Sequence, residues 1–273
     1  MNQFLSALIF FAFFFSLATA QQERPAVEFL PSQQFVPSFT ADGTAHRLSY
    51  LKDVNRGSFY AGLGGGFPAA LVHLFGYDCL ITVSGTVYTT LASAGVKFQV
   101  TNADYYADVT FDIPVAASTV LRLGSGHTSH HLVDDAVAAV GATSVLNYAR
   151  DYVQCFAVQR LPLLRGFAYA GVYYNRSFLI NVHRDGLLLW QAGLDAGSFT
   201  VAGPVEAYGA LDVKVRGEVN NATTQSYQAG LRVKNDTFRA VRLAYTFRTG
   251  ADERGQFYEK RFTAQTVGMF FDF

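Results

Sequence analysis

Apolar and polar residues alternate with a period of two along most of this chain, the pattern of strands with one apolar and one polar face. Between 104 and 113, Tyr105, Ala107, Val109, Phe111 and Ile113 oppose Asp104, Asp108, Thr110 and Asp112. Across 205–216, Val205, Ala207, Leu211, Val213 and Val215 oppose Glu206, Asp212, Lys214 and Arg216. Tyr227, Ala229, Leu231 and Val233 oppose Gln228, Arg232 and Lys234, and Val241, Leu243, Tyr245 and Phe247 oppose Arg242, Thr246 and Arg248. Twelve strands are predicted, near 57–66, 77–91, 94–101, 104–114, 117–129, 147–160, 165–177, 186–197, 204–218, 224–235, 239–249 and 257–273. In the last, Val267, Met269, Phe271 and Phe273 share one face, and Gly268, Phe270 and Asp272 take the other. A closing strand that ends on an aromatic residue fits a bacterial outer-membrane barrel.

The other end supports export. Phe4 to Leu17 is almost wholly apolar and leads to Ala18-Thr19-Ala20, a small-x-small cleavage site, so 1–20 reads as a signal peptide. Residues 21–56, punctuated by Pro25, Pro31 and Pro37, read as a periplasmic or lumen-associated segment in which 45–51 forms a periplasmic strand, a lumen filling or a further barrel strand. The remainder, 57–273, is expected to be an all-β, transmembrane antiparallel β-barrel of about 12 strands, of the outer-membrane type. With the carboxyl end in the periplasm, 91–93, 115–116, 161–164, 198–203 and 236–238 become short periplasmic turns. Segments 67–76, 130–146, 178–185 and 250–256 become longer extracellular loops, the asymmetry such barrels show.

Composition narrows the class. Half the residues are hydrophobic and 15% aromatic, with 25 Phe and 15 Tyr, yet beyond the leader no apolar run approaches the roughly 20 residues of a membrane helix. Twenty-one basic residues balance 21 acidic ones, which leaves no basic footprint for nucleic acid. Arg122, Arg150, Arg160, Arg216, Arg232, Arg242 and Arg248, with Asp108, Asp112, Glu206, Asp212 and Glu218, are expected to pair inside the barrel. Cys79 and Cys155 form no disulfide framework pattern. Gly62 to Gly66 lacks the Lys-Ser/Thr of a phosphate loop and reads as part of a strand.

Three of the six histidines fall in five residues, in Gly126-His127-Thr128-Ser129-His130-His131-Leu132-Val133-Asp134-Asp135. His127 and Ser129 share parity with Leu121 and Leu123, so both face lipid if leucine does. A serine and a histidine two residues apart on one strand, about 7 Å between Cα atoms, suit acyl transfer. Ser129 would be the nucleophile and His127 the general base, oriented from the next strand by Asn147 in the first place and Asp151 in the second. A blander reading makes the segment a polar strand end, with His130, His131, Asp134 and Asp135 in a solvated loop and Ser129 hydrogen-bonded locally. A third takes His127, His130, His131, Asp134 and Asp135 as ligand types for a divalent cation; no other cofactor is expected.

His-x-Ser at the extracellular end of a strand resembles the arrangement in outer-membrane phospholipase A and in the lipid A 3-O-deacylase. That resemblance implies a hydrolase acting on outer-membrane lipid. Here His130 rather than Asn follows Ser129, a departure from both. A longer resemblance rests on Asn102-Ala103-Asp104-Tyr105, the histidine segment, Asn147-Tyr148-Ala149-Arg150-Asp151, Trp190-Gln191-Ala192-Gly193 and Gly255-Gln256-Phe257-Tyr258. In these the chain is similar to a bacterial family, domain of unknown function 1207. It implies an exported barrel and assigns no activity. The alternative to an enzyme is a non-catalytic structural barrel or narrow channel, in service of another envelope protein. In either case the barrel-assembly machinery is the partner expected of the C-terminal strand.

Overall fold

The computed structural model describes residues 26–94, 96–133, 148–178, 186–234, 239–253, 258 and 260–272. The leader expected at 1–20, the terminal Phe273, and Asp134, Asp135 and Asn147 lie outside them. One antiparallel sheet holds β1 (Val27–Phe29), β2 (Leu48–Asp53), β3 (Ser58–Leu74), β4 (Tyr77–Ala94), β5 (Lys97–Ala116), β6 (Thr119–Leu132) and β7 (Tyr148–Leu161). It continues through β8 (Gly166–Phe178), β9 (Leu188–Ala202), β10 (Val205–Arg216), β11 (Ala222–Lys234), β12 (Ala240–Ala251) and β13 (Arg261–Asp272). From β2 to β13 each strand pairs with its successor. The sheet closes where β13 meets β2, from Phe271↔Leu48 to Thr266↔Asp53. The result is a closed twelve-stranded antiparallel barrel.

Closure decides which face looks inward. Leu63, Val83, Leu123, Leu211, Leu243 and Met269 are exposed on the outer wall, while Asp104, Asp112, Arg216, Arg232 and Arg242 are buried inside. A barrel dissolved in water would hide its apolar face. An apolar exterior around a charged lumen is the outer-membrane arrangement.

Two strand assignments change, and they cancel in the total. Residues expected as separate strands at 94–101 and 104–114 form one strand, β5, interrupted by a bulge: Thr90 pairs with Asn102 and Leu91 with Val100. Thr101 is the extra residue, and its hydroxyl donates to Thr90 O at 3.1 Å. A bulge reverses the parity of everything beyond it, which makes a continuous strand look like two. The missing strand is β2, one of the three fates open to 45–51, so the barrel begins at 48 rather than 57. Segments 67–76 and 91–93 are therefore neither loop nor turn of the expected kind. β3 runs on through Pro68 to Leu74, with a bulge between Pro68 and Ala70, and turns at Phe75-Gly76, where φ is +53° and +82°. That two-residue turn lies at the same mouth as Asp272, and a side chain with φ > 0 suits the tight hairpin.

The lumen is filled from within the chain. β1 and β2 lie along one edge of β3, pairing with Ala70–Val72 and Phe59–Gly62, and the residues between them leave the wall. Phe39 stacks on Tyr169 with 3.7 Å between ring centroids and packs against Phe156 and Phe167. The Arg122 guanidinium lies over its ring. Further along, Asp42 accepts a hydrogen bond from Lys214 Nζ at 2.7 Å, and His46 Nε2 sits 2.8 Å from Asp108 Oδ2. Lys214 also meets Glu253 at 2.7 Å in the β12–β13 connection. One ammonium thus ties the inserted segment to a loop from the opposite mouth.

Most of the expected ion pairs exist: Arg122 with Asp112, Arg150 and Arg216 with Glu218, and Arg232 with Glu206. Arg160 is exposed at the rim. Lys214, Asp42, Asp195 and Asp272 carry pairs that charge alternation alone did not single out.

Candidate functional site on the outer wall

On β6, Val120, Thr128 and His130 are buried in the lumen, whereas Leu123, Ser125 and His127 are exposed outside. His127 and Ser129 therefore share the outer face with Leu121 and Leu123. Across β5, His127 stands opposite Ala107 and Ser129 opposite Tyr105; across β7, His127 stands opposite Asp151 and Ser129 opposite Ala149. His127 Nδ1 lies 2.7 Å from Asp151 Oδ1, with both side chains more than half exposed. An imidazole whose Nδ1–H is held by a carboxylate presents Nε2 as its acceptor, the tautomer a general base needs.

The backbone behind this pair is braced. Asp108, Gly126 and Tyr152 lie in one row across β5, β6 and β7, facing the lumen. The Tyr152 hydroxyl donates to Asp108 Oδ1 over the bare Cα of Gly126. A Cβ there would lie 1.8 Å from that carboxylate oxygen, so only glycine lets the bond cross. His46 of the inserted segment completes the row through Asp108. The wall that carries His127 and Asp151 outside is thus clamped from inside.

Among the described residues no hydrogen bond joins Ser129 to His127. His127 and Asp151 are in contact, and Ser129 stands one strand repeat away along the same face. Catalytic contacts commonly tighten only when substrate is bound.

The third residue was the least legible part. Asn147, the first choice from sequence, lies outside the described residues, and Asp151 is the group that faces His127. In the sequence alone, Tyr152 and Phe156 suit the reverse orientation of β7. Both point into the lumen, Tyr152 to Asp108 and Phe156 against Phe39, which leaves Ala149, Asp151, Val153 and Cys155 outside. Aromatic residues filling the lumen are indistinguishable in sequence from aromatic residues facing lipid.

The solvated-loop reading of His130 and His131 is corrected, because both lie on β6. His130 is buried, with Nδ1 3.0 Å from Asp104 Oδ1 and Nε2 3.0 Å from Thr128 Oγ1. His131 faces outward against the Tyr105 ring. The three histidines point to opposite sides of the wall, and among the described residues no group of three His, Cys, Asp or Glu side chains could hold a metal. Cys79 and Cys155 are both free thiols.

Fold and site together define a transmembrane-type barrel with a serine, a histidine and a carboxylate grouped on its outer wall. No family model matches the chain, and no curated protein does.

Proposed function

We propose that the protein is an integral outer-membrane barrel of a Gram-negative bacterium that hydrolyses lipid acyl esters in the outer leaflet. The observation that carries this reading is the 2.7 Å contact between His127 Nδ1 and Asp151 Oδ1 on the apolar outer face, with Ser129 two residues along the same face. A polar cluster of this kind is costly against hydrocarbon unless its groups are paired and used. In the reaction, His127 Nε2 takes the Ser129 hydroxyl proton as Oγ attacks the ester carbonyl. Asp151 stabilises the imidazolium that results. His127 then returns the proton to the departing alcohol, and water repeats the sequence on the acyl-enzyme.

The filled lumen favours this reading over an open channel, since Phe39, Asp42 and His46 occupy the space a solute would need. The apolar run Phe4 to Leu17 followed by Ala18-Thr19-Ala20, and the aromatic-rich sequence of β13, fit export and passage through the barrel-assembly machinery. The test is turnover of phospholipid and of lipid A by detergent-refolded protein. Ser129→Ala and His127→Ala should each lower it by about 10³-fold or more, because triad members act as a unit. Both variants should keep the faster migration of unboiled barrel. Full activity in Ser129→Ala would overturn the assignment.

A further inference from the structure

Residues 31–47 enter the lumen and leave it by the same mouth. Upstream they are fixed at β1, where Phe29 pairs with Ala70 and Leu30 N donates to Ala69 O at 3.0 Å. Downstream they are fixed at β2, where Leu48 pairs with Phe271 beside Asp272. Both anchors lie on the Asp272 side of the barrel. The tip of the segment reaches the other mouth, since Lys214 meets Asp42 and Glu253 at 2.7 Å each. The segment is thus a loop hung from one rim and drawn through the lumen. It forms turns and bends but no strand, and the wall closes through β13 and β2 without it.

Polar contacts brace it across the lumen. His46 Nε2 lies 2.8 Å from Asp108 of β5, and Lys214 of β10 donates to Asp42 at 2.7 Å. β5 and β10 stand five strands apart in a ring of twelve, so the two braces pull nearly opposite ways. The Thr40 hydroxyl donates to Asp195, and the Tyr88 hydroxyl donates to Ala45 O. Apolar packing centres on Phe39, with Val36, against Phe156, Phe167 and Tyr169. Beside the loop runs a cavity of about 120 Å³, bordered by both members of each brace, His46 and Asp108, Asp42 and Lys214, and by the hydroxyls of Ser84 and Thr110. Two more groups of its lining, Ser38 Oγ and Arg150 Nε, are buried with no hydrogen-bond partner among the described residues. A polar cavity of this size holds several water molecules. One flank of the loop is therefore wetted, in contrast to the close packing of a fixed core.

We propose that residues 31–47 are a displaceable plug, and that the barrel conducts small hydrophilic ions when the plug withdraws toward the Asp272 mouth. A loop with both ends on one rim withdraws without threading, and its withdrawal breaks no strand pairing. The braces part into water already beside them, so Asp108 and Lys214 are solvated as His46 and Asp42 leave. That removes most of the penalty that stranding a charge in a dry interior carries. A barrel of about eight strands is filled by its own side chains, and one of about 16 leaves an aqueous channel. A wall of twelve falls between them, and here the loop makes up the difference. The filled lumen that argues against a permanently open channel is the resting state of this one. The plug is independent of the hydrolase reading.

The experiment places the full refolded chain in planar bilayers with potassium chloride on both sides. Cys79→Ser and Cys155→Ser remove the native thiols, and Thr40→Cys with Asp195→Cys puts one thiol on the loop and one on the wall where those residues now touch. A short, reducible bis-methanethiosulfonate reagent bridges the two, with Lys214 intact and with Lys214→Met. Lys214→Met should show stepwise conductance whose open probability falls about tenfold or more on bridging and returns on reduction. Bridged and reduced states are compared within one protein, so damage from the substitutions is common to both. Asp42→Asn releases the same brace and takes the place of Lys214→Met should that variant fail to refold. A second readout is the rate at which a charged thiol reagent labels Thr40→Cys alone, expected to be about tenfold or more faster when Lys214→Met is added. Conductance that the bridge leaves unchanged would place the pathway elsewhere. Absence of steps in the unlocked variants, or equal labelling rates, would make the loop a fixed core. Any of these results would overturn the proposal.

Discussion

Asp42 and Lys214 stand 172 residues apart in the chain and 2.7 Å apart in the lumen. Both are almost completely buried, and Glu253 closes the same ammonium from the other side. Burial alone would push the Asp42 carboxyl upward. The neighbouring Lys214 charge and its hydrogen bond outweigh that, with help from the Thr44 backbone and Arg47, and hold it well below the usual carboxylate range.

Breaking this contact should loosen the filling. Lys214→Met leaves two buried carboxylates without their cation, a change that costs about 3–5 kcal/mol for a buried pair. The midpoint for heat conversion of the folded to the unfolded band should fall, and planar bilayers should show conductance steps missing from the wild type. Asp42→Asn should fall less, because Glu253 still holds Lys214. Equal midpoints in all three proteins would remove Lys214 from this role.

Acid should destabilise the fold in part through Glu218, in the turn Gly217–Val219 that follows β10. Burial tends to raise its carboxyl, but Arg150, Arg216 and the Tyr148 hydroxyl lower it from 4.5 to about 2. A folded-state pKa below the unfolded value means stability present above pH 4.5 and lost as the pH falls toward 2. Denaturant titrations across that window should show the loss in the wild type. Glu218→Gln should be less stable at neutral pH and lose less than the wild type over the same interval, the remaining slope coming from lowered carboxyls such as Asp42.

Asp151 should behave as an orienter of His127 rather than as a nucleophile. Asp151→Asn retains an oxygen opposite Nδ1 but no charge, so it should keep part of the hydrolase turnover and shift its pH profile. Asp151→Ala should lose about 10²-fold or more in kcat with KM little changed. Matching losses in the two variants would argue that only bulk at this position matters.

The two thiols should never pair within one molecule. Cys79 is on β4 and Cys155 on β7, three strand spacings apart, about 14 Å at roughly 4.8 Å per spacing. Disulfide geometry needs Cα atoms within about 7 Å. Non-reducing and reducing gels of boiled protein should superimpose, and thiol titration in denaturant should recover both groups.

Alternation, a local property, was enough to find nearly every strand and to sort Asp104, Asp108 and Asp112 from Tyr105, Val109 and Phe111. It also placed His127 and Ser129 on one face with Leu123. It failed where parity was broken, at the Thr101 bulge, and where a strand was too short and polar to announce itself, as in Leu48–Asp53. The twelve-strand total survived because one error added a strand and the other removed one.

The sequence by itself determined the strands, the two chemically distinct faces of each, and a serine and histidine side by side. Only the tertiary structure decided that the charged face is the inner one, that Asp151 is the carboxylate beside His127, and that Phe39, Asp42 and His46 fill the lumen. The reason is range. A side chain's face follows from its immediate neighbours through the pleat of the backbone, whereas cross-strand register and lumen contacts such as Asp42 with Lys214 are set by closure of the barrel, which no local window contains.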